Sequence, residues 1–224
     1  MKYVIFDTGP LISLTMNGLL PVLEKLKENF NGEFIITPSV KQEVIDRPMK
    51  IKKYKFEAIK IKNLVDRKIL KYSSDFISNN VLEKETKKIM KLGNGVLRSQ
   101  KNGEKISIIH EGEASCIAFA RLCKCENVII IDERSTRLLA ESPQNLKKLI
   151  ERKVHTKISM ENSLASEFKE FKFIRSPELM FVAYKKNLIP LKKDKQTLDA
   201  ILYSLKFKGA AISSKEIEEM KQLA

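Results

Sequence analysis

The chain has 224 residues, of which 43% are hydrophobic and 31% charged, a composition typical of a folded globular protein rather than a disordered one. Its 42 basic and 28 acidic residues give a net charge of +14, which fits either a polyanionic partner or the general lysine enrichment of some proteomes. The sequence has an odd number of cysteines and no apolar run near the roughly 20 residues that span a bilayer, and Asp7 interrupts the apolar N-terminal segment where a signal peptide would continue. We therefore expect a cytoplasmic protein with no membrane partner and no disulfide framework.

Short apolar runs alternate with helix-like segments in the first part of the chain. Buried strands are predicted at residues 3–6 and 33–37, and helices at residues 10–29 and 39–46. Ser39 and Gln42 have the spacing of a capping box at the start of the second helix.

The middle of the chain is more polar. Residues 55–65 alternate apolar and polar side chains, which predicts a third strand at or near a sheet edge. Residues 66–92 are charged and helix-prone. Residues 92–105 contain glycine and polar side chains, and this composition is typical of a flexible loop.

The second half repeats the alternation. It predicts a helix at 111–124, a buried strand at 128–131 followed by a helix, another strand at 154–158, and mainly helical structure from 161 onward. Such alternation predicts an α/β protein, a three-layer α/β/α fold with a central parallel sheet of about 4–5 strands. We assign this domain to residues 1–160 and a C-terminal helical extension to residues 161–224.

Acidic side chains follow two of the predicted strands directly. Asp7 ends the first strand, and Asp132 and Glu133 follow the strand at 128–131. The carboxyl ends of parallel strands meet at one edge of a sheet, where ligands bind in such folds, so we expect these acids to lie close together. Capping of the following helix is the alternative role for each acid, and the sequence leaves that alternative open.

Two glutamates on predicted helices extend this set of acids. Glu43 lies in the helix after the second strand, and Glu113 shares a helical face with Ile117 and Ala120. A carboxylate on such an apolar stripe rarely lacks a role. Carboxylates that are held together repel one another, and a divalent cation that prefers oxygen ligands, Mg²⁺ or Mn²⁺, removes that repulsion.

Four segments of the chain, in this order, resemble the PIN-domain nucleases: YVIFDTGPLISL, IITPSVKQEVID, HEGEASCIAFARL and VIIIDERSTRLLAE. The resemblance covers residues 1–160, and it looks most like the VapC-like archaeal and bacterial branch of that family. It implies a PIN-like fold and an enzyme, a Mg²⁺- or Mn²⁺-dependent endoribonuclease that hydrolyses phosphodiester bonds of single-stranded RNA.

The resemblance also implies roles for individual residues. The acids that it assigns to catalysis and metal binding are Asp7, Glu43, Glu113 and Asp132, with Glu133 competing with Asp132 for the fourth position. It assigns supporting polar roles to Thr8, Ser135 and Thr136. It further implies a homodimer and, if the chain is the toxin of a toxin–antitoxin pair, an antitoxin protein as partner.

Other functions stay open at this point. A stand-alone RNA-processing nuclease would use the same acids, and a catalytically weak or inactive PIN-like module for RNA binding or assembly would keep the fold without the chemistry. A phosphoaspartate phosphatase is disfavoured, because that chemistry needs a second Asp two residues after the first, where this chain has Gly9.

Overall fold

Strands and helices alternate through residues 2–224, which the computed structural model describes. The first half contains β1 (Lys2–Phe6), α1 (Thr8–Met16), α2 (Leu20–Glu28), β2 (Glu33–Ile36), α3 (Pro38–Lys41), α4 (Lys55–Asp66), β3 (Leu70–Tyr72), α5 (Asn79–Gly93) and β4 (Leu97–Ser99). The second half contains α6 (Glu111–Cys123), β5 (Glu126–Ile130), α7 (Arg134–Glu141), α8 (Pro143–Val154), β6 (Ile158–Met160), α9 (Asn162–Ser166), β7 (Phe173–Ile174), α10 (Ser176–Lys185), α11 (Lys195–Phe207) and α12 (Ser214–Gln222). A π-helical segment, Gln42–Asp46, continues α3 directly.

Five parallel strands form the central sheet in the order β3-β2-β1-β5-β7. Helix α6 contacts β1 and β5 and packs against α5, while α1, α2, α4 and α10 contact one another in a second group. These groups form the outer layers, and the predicted three-layer α/β/α fold is confirmed. The strand order reverses between β1 and β5, and ligands of open α/β sheets bind in the crevice at such a switch point.

The central strands are apolar throughout because both faces of the sheet are covered. Their innermost side chains are fully buried, namely Ile5, Phe6, Ile35, Ile36, Ile129 and Ile130. Continuous apolar runs of this kind are typical of parallel sheets. Burying each such side chain contributes about 1.5–3 kcal/mol relative to leaving it in water, so these strands hold the sheet edge, and the acids on it, in place.

The prediction of a strand at residues 55–65 is wrong, because this segment is helix α4. Its buried side chains are Ala58, Ile61 and Leu64, which recur every third residue, as on one face of a helix. Phe56 and Ile59 are apolar but exposed, and they produced the apparent strand-like alternation.

Two further segments differ from the sequence predictions. The loop predicted at 92–105 contains strand β4, which pairs antiparallel with β6 in a separate two-stranded sheet. The strand predicted at 154–158 overlaps β6 only at Ile158, because α8 runs to Val154. Pairing between β4 and β6 joins segments far apart in the sequence, which local patterns do not reveal.

The predicted helix boundaries also differ in detail. Residues 10–29 form two helices, separated at Gly18, whose φ of 68° favours glycine. Thr37, rather than Ser39, caps α3 by accepting a hydrogen bond from the Val40 amide at 3.4 Å, so the predicted capping box is wrong.

The C-terminal segment is mainly helical, as predicted, and it also contributes to the sheet. Strand β7 pairs in parallel with β5 and forms the edge of the central sheet. The division at residue 160 therefore stays a prediction about domains, whereas the sheet itself draws on both sides of it. In residues 2–224, no helix has the length and apolar character needed to cross a membrane.

Candidate functional site

Asp7 lies at the switch point of the sheet. Its backbone amide donates to the Ile130 carbonyl at 3.0 Å, which fixes the end of β1 against β5. The carboxylate is buried and accepts a long hydrogen bond from the Gly9 amide at 3.4 Å, so it also caps α1. The capping role anticipated as an alternative is therefore present.

Glu43 approaches Asp7 from the π-helical segment. Its Oε2 accepts a hydrogen bond from the Thr8 hydroxyl at 2.5 Å, which links Glu43 to the residue that follows Asp7. Short π-helical segments within helices are frequent at functional sites, because the widened turn redirects the side chains on it. Here the segment brings a carboxylate from the end of β2 to the end of β1.

Gly112 keeps the space between these two acids open. A Cβ atom on residue 112 would lie 3.4 Å from Asp7 Oδ1 and 3.4 Å from Glu43 Oε2. The oxygens of both acids thus border one small volume beside the start of α6. Any side chain larger than glycine would fill that volume.

Glu113 is the third acid, and it is buried in the first turn of α6. One of its oxygens, Oε2, accepts a hydrogen bond from the His110 amide at 2.9 Å. This bond closes the N-terminus of the helix and fixes the carboxylate in the crevice, where Asp7 also lies.

Burial and mutual repulsion raise the pKa of two of these acids. Burial, followed by the charge of Glu113, raises the pKa of Asp7 to about 7, and the charge of Glu43 adds to this effect. Burial is also the main cause for Glu113, whose pKa is raised to about 7, with further contributions from Glu133 and Glu43. The hydrogen bond from the His110 amide lowers the pKa of Glu113 but does not cancel these effects. The folded state therefore disfavours the ionised forms of Asp7 and Glu113 relative to the free side chains.

The two acids after β5 have different surroundings. Asp132 is buried and accepts hydrogen bonds from the Ser176 amide at 2.8 Å, the Ser176 hydroxyl at 2.7 Å and the Ser13 hydroxyl at 3.4 Å. Burial raises the pKa of Asp132, and these bonds together with Arg175 oppose the increase. Its carboxylate is thus engaged by the N-terminus of α10 and by α1.

Glu133 is exposed, and its charge acts on Glu113. Its Oε1 accepts a hydrogen bond from the Ser135 amide at 3.2 Å and caps α7, and its charge contributes to the raised pKa of Glu113. Ser135 and Thr136, the other predicted supporting residues, are both buried at the start of α7. Both acids line the same cavity, and the charge of Glu133 acts on Glu113.

A cavity of about 540 Å³ opens over these acids. Asp7, Glu113, Asp132 and Glu133 line it, and so does Ser135.

Two lysines also line this cavity. Lys153 lies in the last turn of α8. Lys208 comes directly after α11 and precedes Gly209, whose φ of 111° favours glycine. Neither lysine was predicted as part of the site, because neither belongs to a motif and only the tertiary fold brings them to the acids.

The acids surround a shared crevice but do not converge on one point. Within residues 2–224, no three His, Cys, Asp or Glu side chains are arranged closely enough to hold a metal ion as they stand. Comparisons with protein-family models, with curated proteins and with solved structures find no match for this chain. The geometry and chemistry of the crevice are therefore the basis for a functional assignment.

Proposed function

We propose that this chain is a divalent-cation-dependent endoribonuclease of the PIN type. The observation that carries the proposal is that buried Asp7 and Glu113 lie with partly buried Glu43 at the switch point, with the pKa of Asp7 and of Glu113 raised to about 7. Like charges held together in this way destabilise a fold unless a cation compensates them. Groups whose pKa values are perturbed in this way are therefore candidates for a functional site. The four sequence segments that resemble PIN-domain nucleases support the same proposal.

The donor set suits a hard cation such as Mg²⁺ or Mn²⁺, since it consists of carboxylate oxygens. Asp7, Glu43 and Glu113 would hold the ion, Glu133 is the better placed fourth ligand, and the volume that Gly112 leaves open lies between two of these acids. Binding would draw the carboxylates closer together than they now lie. A bound ion of this kind lowers the pKa of a water molecule and polarises a phosphodiester oxygen.

Other residues of the chain would position the acids. The Thr8 hydroxyl holds Glu43, and the His110 amide holds Glu113. Asp132 would act indirectly, because its hydrogen bonds to Ser176 and Ser13 fix the end of β5 and therefore the backbone that carries Glu133.

The substrate assignment to single-stranded RNA follows from the resemblance and from the net charge of +14. Lys153 and Lys208 line the cavity with the acids, and lysines there would contact the phosphates that flank the scissile bond. Such contacts release counterions, so binding should weaken as salt increases. The resemblance also extends our proposal to a toxin with an antitoxin partner, to a homodimer and to a cytoplasmic location.

The test is cleavage of an end-labelled, unstructured RNA by the full chain. We expect cleavage with Mg²⁺ or Mn²⁺, none with a chelator, and a loss of at least about 100-fold in Asp7→Asn, because carboxylate ligands of a catalytic cation supply several kcal/mol of transition-state stabilisation. Asp66→Asn is a matched control, since it removes one negative charge from an exposed position at the end of α4.

The proposal fails if cleavage survives the chelator or persists in Asp7→Asn. Tight RNA binding without any cleavage would instead favour the RNA-binding module that the sequence analysis left open.

A further inference from the structure

A second cavity of about 540 Å³ lies over the carboxyl ends of β2 and β3. Its walls come from the turn after β2, the turn after β3, the start of α5 and the start of α6. The residues that define it are Ser39, Gln42, Tyr72, Ser74, Asn79 and Leu82. Its volume is within the range of about 300–1,000 Å³ that is typical of small-molecule sites.

This second cavity adjoins the carboxylate crevice. Gln42 lines the cavity, while Glu43, the next residue, borders Gly112 together with Asp7, which lines the crevice. Glu111 lines the cavity, while Gly112, the next residue, borders Asp7 and Glu43. The π-helical segment and the start of α6 therefore form a wall between the two spaces, and a ligand long enough could occupy both.

The charges around the second cavity do not favour a phosphate. Lys41 is the one cation among the described residues that line it, and its Nζ is held by Asp46 Oδ1 at 3.0 Å and Oδ2 at 2.8 Å. Glu83, at the rim, is paired with Lys87 at 2.5 Å. The carboxylate crevice, in contrast, is lined by Lys153 and Lys208.

Neutral groups with both donors and acceptors dominate the second cavity instead. Gln42, Ser74 and Asn79 are exposed at the cavity, and their side chains form no hydrogen bond to another part of the chain that the structure describes. Two amides and a hydroxyl offer the paired donors and acceptors that match the edge of a nucleobase. The half-buried ring of Tyr72, with Lys41 Nζ 5.8 Å from its centroid, adds flat surface against which a base stacks.

We infer that the second cavity is a base-binding subsite, which holds one unpaired nucleobase of an RNA strand whose phosphodiester lies in the carboxylate crevice. That the same RNA strand is cleaved in the carboxylate crevice rests on the proposed function. Binding of the base in the second cavity does not require cleavage. Gln42 and Asn79 determine which base is accepted, because their amides can donate to one base edge and accept from another.

The test is calorimetric titration of the full chain with adenosine, guanosine, cytidine and uridine, without added metal. These nucleosides carry no phosphate, so the carboxylate crevice contributes nothing to their binding. We expect saturable binding of at least one nucleoside, and a loss of about 10-fold in affinity in Asn79→Ala and in Gln42→Ala, which is typical of removing one hydrogen-bonding side chain. Asn80→Ala is the matched control, because Asn80 is the next residue of α5, exposed and outside the cavity wall.

Further outcomes separate this inference from the proposed nuclease activity. Asp7→Asn should bind the nucleoside as the unchanged chain does. Nucleoside binding without RNA cleavage would overturn the proposed function and support the subsite. Absence of binding by all four nucleosides, or equal affinity in Asn79→Ala, Gln42→Ala and Asn80→Ala, would overturn the subsite whether or not RNA is cleaved.

Discussion

Two clusters of charged side chains lie close to the end of β5, and their charges are balanced in opposite ways. In the arginine cluster, buried Arg175 forms ion pairs with Glu178 and with Glu216 and donates to the Ala211 carbonyl at 2.9 Å. In the carboxylate cluster, Asp7, Glu43 and Glu113 lie together, and no lysine, arginine or histidine within residues 2–224 forms an ion pair with them. The Ala211 amide donates to the Asp132 carbonyl at 3.2 Å and so connects the two regions.

The charges of the arginine cluster stabilise the folded state, whereas those of the carboxylate cluster destabilise it. The arginine cluster joins α10 to α12 through opposite charges. In the carboxylate cluster the pKa of Asp7 and the pKa of Glu113 are raised, which means that the ionisation of these two acids opposes folding. Buried like charges of this kind mark functional sites more often than structural ones.

Breaking the arginine cluster should have the largest effect on stability. Arg175→Met should lower the free energy of unfolding by about 2–4 kcal/mol, because it leaves two carboxylates without their partner and removes the link to the Ala211 carbonyl. Arg134→Met, at an exposed position on α7, should change it by less than about 0.5 kcal/mol. Urea unfolding of both variants measures the difference, and equal midpoints would contradict the assigned role of Arg175.

Relieving the repulsion in the carboxylate cluster should stabilise the fold. At about pH 8, with a chelator present, Asp7→Asn should raise the free energy of unfolding by about 1–3 kcal/mol, because the folded state then no longer contains a buried charge. Asn also caps helices well, so the start of α1 is preserved.

The pH dependence of this stabilisation has a definite sign. The pKa of Asp7 is raised from 3.8 to about 7 in the folded state. The cost of ionising Asp7 therefore lowers the free energy of unfolding by its full amount above about pH 7 and by nothing below about pH 3.8. The advantage of Asp7→Asn should therefore shrink as the pH falls from about 7 toward about 4. Thermal unfolding across this range measures it, and a variant less stable than the unchanged chain at about pH 8 would refute the prediction.

The two acids after β5 should differ in what they stabilise. Asp132→Ala should lower the free energy of unfolding by about 1–3 kcal/mol, because Ser176 and Ser13 lose a buried acceptor. Glu133→Ala removes only the cap of α7 and should cost about 0.5–1 kcal/mol. Chemical denaturation distinguishes them, and a reversed order would show that Asp132 is not the structural member of the pair.

The smallest effect concerns acid stability. Hydrogen bonds from Ser213 and Arg175 lower the pKa of Glu216 to about 2, despite partial burial, which acts in the opposite direction. The stabilisation from this group is present above its unfolded pKa of 4.5 and disappears as the pH falls toward 2.

A variant pair checks this acid stability. Glu216→Gln should be less stable than the unchanged chain at about pH 6, by about 1 kcal/mol or less because the pair is partly exposed, and equally stable near about pH 2. Glu219→Gln, on an exposed position of the same helix, should track the unchanged chain throughout.

Local patterns in the sequence were enough to predict β1, β2 and β5, because a strand buried on both faces is a continuous apolar run. They also predicted α6 and the gathering of acids at one sheet edge. They were wrong for α4, where the exposed Phe56 and Ile59 imitated the alternation of a strand.

Tertiary contacts distinguish Asp132 from Glu133 and bring two lysines to the acids, and neither could be read from the sequence. Asp132 and Glu133 are adjacent and chemically alike, and only Ser13 and Ser176, at distant positions in the chain, engage one rather than the other. Lys153 and Lys208 reach the crevice from α8 and from the end of α11, which no motif relates to the acids.

Uptake of Mn²⁺ by the full chain tests the central claim most directly. Calorimetry at about pH 7 in buffers of different ionisation enthalpy measures both the affinity and the protons released. Because the pKa of Asp7 and of Glu113 is about 7, we predict binding with release of protons by the unchanged chain, and at least about 10-fold weaker binding by Asp7→Asn. Absence of Mn²⁺ binding, or equal affinity and equal proton release in Asp7→Asn, would contradict the claim that these carboxylates form a cation site.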